Sequence, residues 1–270
     1  MDITMEEGDA LRLSGNPGGA VETLRTHLAS PYLAADSTGE KVAFLLRDRG
    51  ARPAVMDLLG RGVQLFDVKL PLSSIRTFES IYHVTWNPKG NEVAFYNDSG
   101  LYLLDTVSGQ ACQVQLGLAG LGERGRRWAY FAKWSPNGRY LAMITTSGPF
   151  PLEFSELTIL NAYTGELRST HPSQLTNSAQ YYVTGVSWSP NSRTLAVESV
   201  IERKEGTDWA GLFLIDAQNQ NFRRILPDFL FGGGEWGQNM AWSPDGKRLV
   251  VACPGNVKAS LCLTTVNTNP

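Results

Sequence analysis

Hydrophobic and polar positions along this chain repeat on a long period. Four segments share one pattern: VTWNPKGNEVAF at 84–95, AKWSPNGRYLAM at 132–143, VSWSPNSRTLAV at 186–197 and MAWSPDGKRLVV at 240–251. A degenerate fifth copy, LAADSTGEKVAF, stands at 33–44. Aligned on Gly39, Gly90, Gly138, Ser192 and Gly246, the copies are 51, 48, 54 and 54 residues apart. Each copy has the same physical reading. An apolar strand closes on Trp-Ser-Pro or a variant, because proline cannot donate to a ladder. Asn-Gly or Asp-Gly then makes a tight turn. A second, more apolar strand follows.

Further along each copy a third strand is predicted, at 101–105, 157–161, 212–216 and 259–263. A polar or glycine-bearing turn leads to a weaker fourth strand, as at 166–170. Four strands on a period near fifty residues predict a propeller blade, which buries its faces only against neighbouring blades. No long segment has helical periodicity. Residues 1–28 add two strands, near 10–14 and 20–25, that match the third and fourth strands of a blade. The expectation is therefore an all-β chain: a single β-propeller domain over 1–270, built of four-stranded antiparallel blades. Its blades lie near 29–78, 79–125, 126–180, 181–234 and 235–270, and residues 1–28 share the closing blade with the C-terminal strands. One strand is left over from five blades, so six remain open if the chain is a piece of a longer protein.

The residues Trp242–Leu249 (WSPDGKRL) and their relatives resemble the WD-like repeat of TolB-type propellers. FLLRDRGARPAVMDLLG at 44–60 is similar to that family's second and third strands. The resemblance covers nearly the whole chain. It implies a propeller fold and a family that includes periplasmic interaction proteins and modules attached to serine peptidases. The Gly-His and Trp-Asp signatures of true WD repeats are absent, so the eukaryotic scaffold subtype is not implied. The recurrent Trp86, Trp134, Trp188 and Trp242 read as packing between blades. Ala35 takes the tryptophan's place in the first copy, which predicts a looser interface there.

The chain has 270 residues with 24 basic and 26 acidic, a formal charge of −2. Near-balance argues against a nucleic-acid surface or an anionic-membrane surface. No apolar run reaches the roughly 18 residues of a membrane span. MDITMEEGDA is not a signal peptide, and with three cysteines the expected location is cytoplasmic. The family resemblance leans to the periplasm or exterior, in which case a signal would have been removed. Cys253 and Cys262 fall on neighbouring strands of one hairpin. A disulfide and a pair of small buried side chains are both open for them, and the second is favoured.

The positions expected to line the channel (30–35, 81–86, 129–134, 183–188 and 237–242) hold no Asp or Glu. The carboxylate pair of a glycosidase is therefore missing from them. Apart from tyrosines, only His83 and Lys133 are ionisable there, which makes a poor metal site. No Gly-x-Ser-x-Gly elbow and no calcium loop occurs. Gly120, Gly122 and Gly125 match Gly-x-Gly-x-x-Gly without a following helix, and read as a loop. No catalytic residue, cofactor or metal is expected.

Two loop sets share one rim: those leading into the innermost strands and those joining second to third strands. They carry Arg126, Arg127, Trp128, Tyr182, Phe150, Trp209 and Trp236. Aromatic and arginine side chains together are typical interface anchors, and long loops on a rigid scaffold commonly carry recognition. The expected function is a non-catalytic interaction module that binds a protein or peptide at this rim, with Arg126 and Arg127 pairing partner carboxylates. The alternatives are a small-molecule or carbohydrate-binding propeller, possibly hydrolytic, and a propeller belonging to a larger peptidase or complex.

Overall fold

A computed structural model describes residues 2–6, 10–14, 21–25, 28–30, 32–47, 50–59, 62–70, 83–97, 99–116, 127–147, 155–170, 181–201, 209–218, 221–230, 240–254 and 259–266. All regular structure among them is β-strand, so no helix is long and apolar enough to cross a membrane. The chain falls into two compact units, Met1–Gln115 and Leu116–Pro270.

The first unit holds three antiparallel sheets. β1 (Asp2–Glu6), β2 (Ala10–Ser14) and β3 (Val21–Arg25) pair in the order β1-β2-β3. β4 (Ala34–Ala35), β5 (Lys41–Arg47), β6 (Ala51–Asp57) and β7 (Val63–Leu65) form the second sheet. β8 (His83–Trp86), β9 (Glu92–Asn97), β10 (Gly100–Asp105) and β11 (Ala111–Val114) form the third. In β5 both faces are buried. Ala43 and Leu45 pack with Val93, Phe95 and Leu104, while Val42 and Phe44 pack with Leu28, Ala54 and Met56. That is why the second strand of each repeat is a continuous apolar run where a half-solvated strand would alternate.

The N-terminal segment differs from expectation by one strand. Asp2–Glu6 pairs with Ala10–Ser14 in the register Ile3↔Leu13 and Met5↔Leu11, so among the described residues the segment contributes three paired strands where two were expected. Asp-Ile-Thr-Met-Glu does alternate, but with only Ile3 and Met5 apolar the pattern is too short to stand out.

The second unit also holds three sheets. β12 (Arg127–Trp134), β13 (Tyr140–Ser147), β14 (Ser155–Asn161) and β15 (Leu167–Thr170) make one. β16 (Tyr181–Trp188), β17 (Thr194–Ile201), β18 (Trp209–Asp216) and β19 (Phe222–Leu230) make the next. β20 (Met240–Trp242), β21 (Arg248–Pro254) and β22 (Ala259–Thr265) make a three-stranded sheet. One core, including Ile144, Ile159, Val186, Trp188, Val197 and Phe213, lies between the first two of these sheets. Another, including Ala196, Leu212, Met240, Leu249 and Val251, lies between the second and third.

The repeated turn explains its own sequence. After β12, Ser135 N–H donates to Tyr140 O at 2.8 Å and Gly138 N–H to Ser135 O at 2.8 Å. The Ser135 hydroxyl accepts from Tyr140 N at 2.9 Å and donates to Asn137 Oδ1 at 2.8 Å, which in turn accepts from Arg139 N at 3.0 Å. Ser189–Asn191 and Ser243–Asp245 repeat this network. In the degenerate copy Asp36 Oδ1 accepts from Glu40 N and Lys41 N, while Thr38 Oγ1 donates to Asp36 Oδ2 and also accepts from Glu40 N. Side-chain acceptors at fixed offsets thus satisfy the donors that the turn exposes. At Asp245 these bonds hold the carboxyl below the usual range.

Gly39, Gly138 and Gly246 have φ of 71°, 71° and 69°, and Ser192 occupies the same place with φ 61°. A non-glycine residue there is strained by roughly 1–2 kcal/mol. Ser192 Oγ offsets this by accepting from Asn137 N at 2.9 Å, which ties the turns of two sheets together. A bond of that kind contributes about 1 kcal/mol. Ser192→Gly should therefore shift stability by less than about 0.5 kcal/mol, while Ser192→Ala keeps the strain and should lose about 1 kcal/mol. Urea midpoints decide it: a glycine variant more stable by a full kcal/mol would show that the hydroxyl contributes nothing.

The tryptophans pack as read from the repeat. Trp86, Trp134 and Trp188 are buried, and Trp242 packs partly buried on its core. Trp188 Nε1 donates to Lys133 O at 2.9 Å, and Trp242 Nε1 to Ser187 O at 3.0 Å. Each indole thus grips the carbonyl just before the tryptophan of the preceding sheet. Trp86 follows the copy that has Ala35, and its Nε1 reaches Gly90 O of its own turn at 3.4 Å.

Cys253 pairs with Ser260 and Cys262 with Val251 on β21 and β22. The two cysteines are thus diagonal across the ladder, about 7–8 Å apart at Cα. A disulfide needs closer approach.

Candidate functional site

Strand register brings the aromatic positions of the expected face to one end of the sheets in the second unit. Across β16, β17, β18 and β19 one row is Tyr181↔Ile201↔Trp209↔Leu230. The adjoining row is Tyr182↔Val200↔Ala210↔Phe229. At the corresponding end of the β12–β13 pair, Arg127 stands opposite Ser147 and Trp128 opposite Thr146. Arg127, Trp128, Tyr182 and Trp209, expected in loops, are therefore strand positions at that end. Arg126, Phe150 and Trp236 lie outside the described residues. Phe229 and Leu230 were not singled out from the sequence. Their sign was the apolar Phe-Leu-Phe before Gly232.

Just inside this end both innermost strands bulge, between Ala129 and Phe131 in β12 and between Val183 and Gly185 in β16. A bulge unpairs backbone groups and re-aims the strand. At Val183 a neighbouring sheet satisfies them. Val183 N donates to Ser155 Oγ at 2.7 Å, and the same hydroxyl donates to Val183 O at 3.2 Å. Ser155 is the first residue of β14 and is fully buried.

The second bulge also meets an acid that sequence reasoning passed over. Glu198, on β17 opposite Gly185, is 1% exposed. Thr184 Oγ1 donates to Glu198 Oε2 at 2.9 Å. Gly185 is suited to this close approach, since a Cβ there would stand 3.4 Å from Oε2 and 3.3 Å from the Met240 methyl. Glu198 reads in sequence as a solvent-facing residue of an alternating strand. The only sign of its burial was that the strand's other positions are apolar or small.

The two ionisable residues expected on innermost strands have separate settings. His83 lies in an aromatic stack, with Tyr32 at 4.0 Å and 23° and Tyr96 at 5.3 Å and 15° between ring centroids and planes. Burial lowers its pKa to about 4, so it is neutral at pH 7. Lys133 remains open to water, yet the surrounding protein lowers its pKa by desolvation. Among the described residues no three His, Cys, Asp or Glu side chains gather in a metal-holding group.

Sheets of three or four antiparallel strands that share a core with a neighbour, as the second and third sheets of the first unit and the three sheets of the second unit do, are the units of a β-propeller. Solved structures agree. The chain is similar to an oligogalacturonate lyase solved with manganese, with TM-score 0.64 and 13% identity over 98% of this chain and 74% of that one. It is similar to dipeptidyl peptidase 4 of Porphyromonas gingivalis, with TM-score 0.58 and 14% identity over 97% of this chain and 45% of that one. It is also similar to the β-propeller domain of Cps50 (Swd1) from Myceliophteria thermophila, with TM-score 0.53 and 16% identity over 97% and 85%. The fold is an all-β β-propeller. No family model and no curated protein matches the chain. A fold shared by a lyase, a peptidase and a propeller domain leaves function to the site.

Proposed function

We propose that this chain is a non-catalytic, TolB-like propeller that binds a protein or peptide partner at the aromatic end of its blades. The observation that supports it is the register of β16–β19, which sets Tyr181 and Trp209 in one row and Tyr182 and Phe229 in the next. Trp128 and Arg127 stand at the same end of the neighbouring sheet. Tyrosine, tryptophan and arginine are the residue types that dominate binding energy at interfaces. Trp236, Phe150 and Arg126 lie outside the described residues and belong to the same expected face by sequence alone. In this reading the aromatic residues anchor the partner, and Arg126 and Arg127 meet its carboxylates. The β16 bulge, tied down by Ser155, holds that strand's end in place beneath them.

The test is affinity capture from native lysate with the wild-type chain, followed by titration of the purified partner. Wild type is compared with Tyr182→Ala/Trp209→Ala, and circular dichroism confirms that both are folded. Two anchors of about 2 kcal/mol each predict at least a 100-fold loss of affinity. A partner held equally by a folded double variant would refute this face.

A further inference from the structure

The opposite end of the same two sheets, where the repeated turns lie, carries a groove of about 370 Å³. Its floor is buried and largely apolar: Tyr140, Ile159 and Ala217. Arg139, Arg168 and Glu166 supply its charge. The two guanidiniums are in different states. Arg168 Nε donates to Glu166 Oε1 at 2.8 Å and its Nη1 donates to Gln218 O, so it bridges β15 to the end of β18. Glu166 holds its pKa above the usual value.

Arg139 has no ion pair among the described residues. It lies over the Tyr140 ring at 5.5 Å, and Tyr140 stacks on Trp188 at 6.1 Å and 18°. Trp188 is itself fixed by its bond to Lys133 O. Arg139 is thus positioned by packing, with its donor fork left for a ligand.

The net charge of the groove's side chains is one positive. That matches a single carboxylate better than a phosphate dianion, which would face Glu166 with charge unbalanced. Tyr163 lies in the turn between the lining residues Asn161 and Thr164, next to Ala162, whose N–H donates to Arg139 O at 2.9 Å; it is 76% exposed, and its own N–H donates to Asn161 Oδ1 at 3.1 Å. An exposed aromatic beside a free guanidinium suits a peptide, which offers a carboxylate and a neighbouring side chain together.

We propose that this groove binds an acidic peptide segment, with an Asp or Glu carboxylate on Arg139 and an adjacent apolar side chain against Tyr163. The site is separate from the aromatic end and does not depend on it. The probe is a fluorescent, end-capped Gly-Leu-Glu-Leu-Gly peptide titrated into the full chain and followed by anisotropy. A Gln-for-Glu peptide and free glutarate serve as the other arms. Saturable binding of the Glu peptide is expected, at least tenfold weaker for the Gln peptide and for Arg139→Gln. Arg139→Lys should fall between, because lysine lacks the planar fork. Tyr163→Ala should weaken the peptide and leave glutarate unchanged, and Trp209→Ala should change neither. Circular dichroism checks that each variant is folded. Equal binding of the Glu and Gln peptides, or none of either at millimolar concentration, would overturn the site. Glutarate competing as strongly as the peptide would overturn the peptide and assign a small carboxylic acid.

Discussion

Trp188→Ala is expected to lower the unfolding free energy by about 3–5 kcal/mol, the range for deleting a buried aromatic. The indole is 5% exposed, stacks on Tyr140 and packs in the core between the β12–β15 and β16–β19 sheets. Its Nε1 donor also satisfies Lys133 O in the preceding sheet. Trp188→Phe keeps most of the packing and gives up that bond, for about 1–2 kcal/mol. Trp86 provides the contrast. Its Nε1 reaches only Gly90 O of its own turn at 3.4 Å, so Trp86→Phe should cost less than Trp188→Phe. Urea unfolding of the three variants and the wild type measures this through the midpoint, with the slope checked for constancy. A Trp188→Phe cost no greater than that of Trp86→Phe would mean the bond between sheets contributes nothing. If the two units unfold in separate transitions, each variant is read from the transition of the unit that carries it.

The turns were legible because their chemistry is local. Ser135, Pro136, Asn137 and Gly138 specify a hairpin within four residues, and the same types recur at 189–191 and 243–246. The buried tryptophans were legible too, since a large apolar residue fixed in a repeat has one economical use. What escaped depends on register. Trp188 binds the carbonyl of Lys133, 55 residues back, although the repeat is 54. That offset of one is set by how two sheets stack, which no single copy displays. The bulge at Val183–Gly185 escaped because an extra residue in a strand leaves the apolar pattern on either side intact. The aromatic end was half legible. Tyr182 and Trp209 were picked out by residue type and assigned to loops, whereas the ladders extend through both. Their juxtaposition with Leu230 and Phe229 follows from pairing across β18 and β19, again a matter of register.

Glu198→Ala is the second change with a large expected effect, about 2–4 kcal/mol. The substitution leaves a cavity between β17 and its neighbours and removes the nearer acceptor of the buried Thr184 hydroxyl, leaving it only Glu198 O at 3.5 Å. A donor left with so long a contact in the interior costs more than the lost bond contributed, because it was stripped of water on folding. Glu198→Gln retains the volume and offers Thr184 an amide oxygen, so its cost should be less than half as large. The pair of variants also reaches function. Thr184 and Gly185 sit at the bulge from which β16 continues to Tyr182 and Tyr181. Losing the acceptor frees the bulge and with it the strand end that positions these tyrosines. Partner affinity at the aromatic end should therefore fall in Glu198→Ala and survive in Glu198→Gln, measured below both unfolding temperatures. An alanine variant as stable as wild type would show that Glu198 does not hold the bulge. A stable loss of affinity in both variants would instead give the carboxylate charge itself a part in binding.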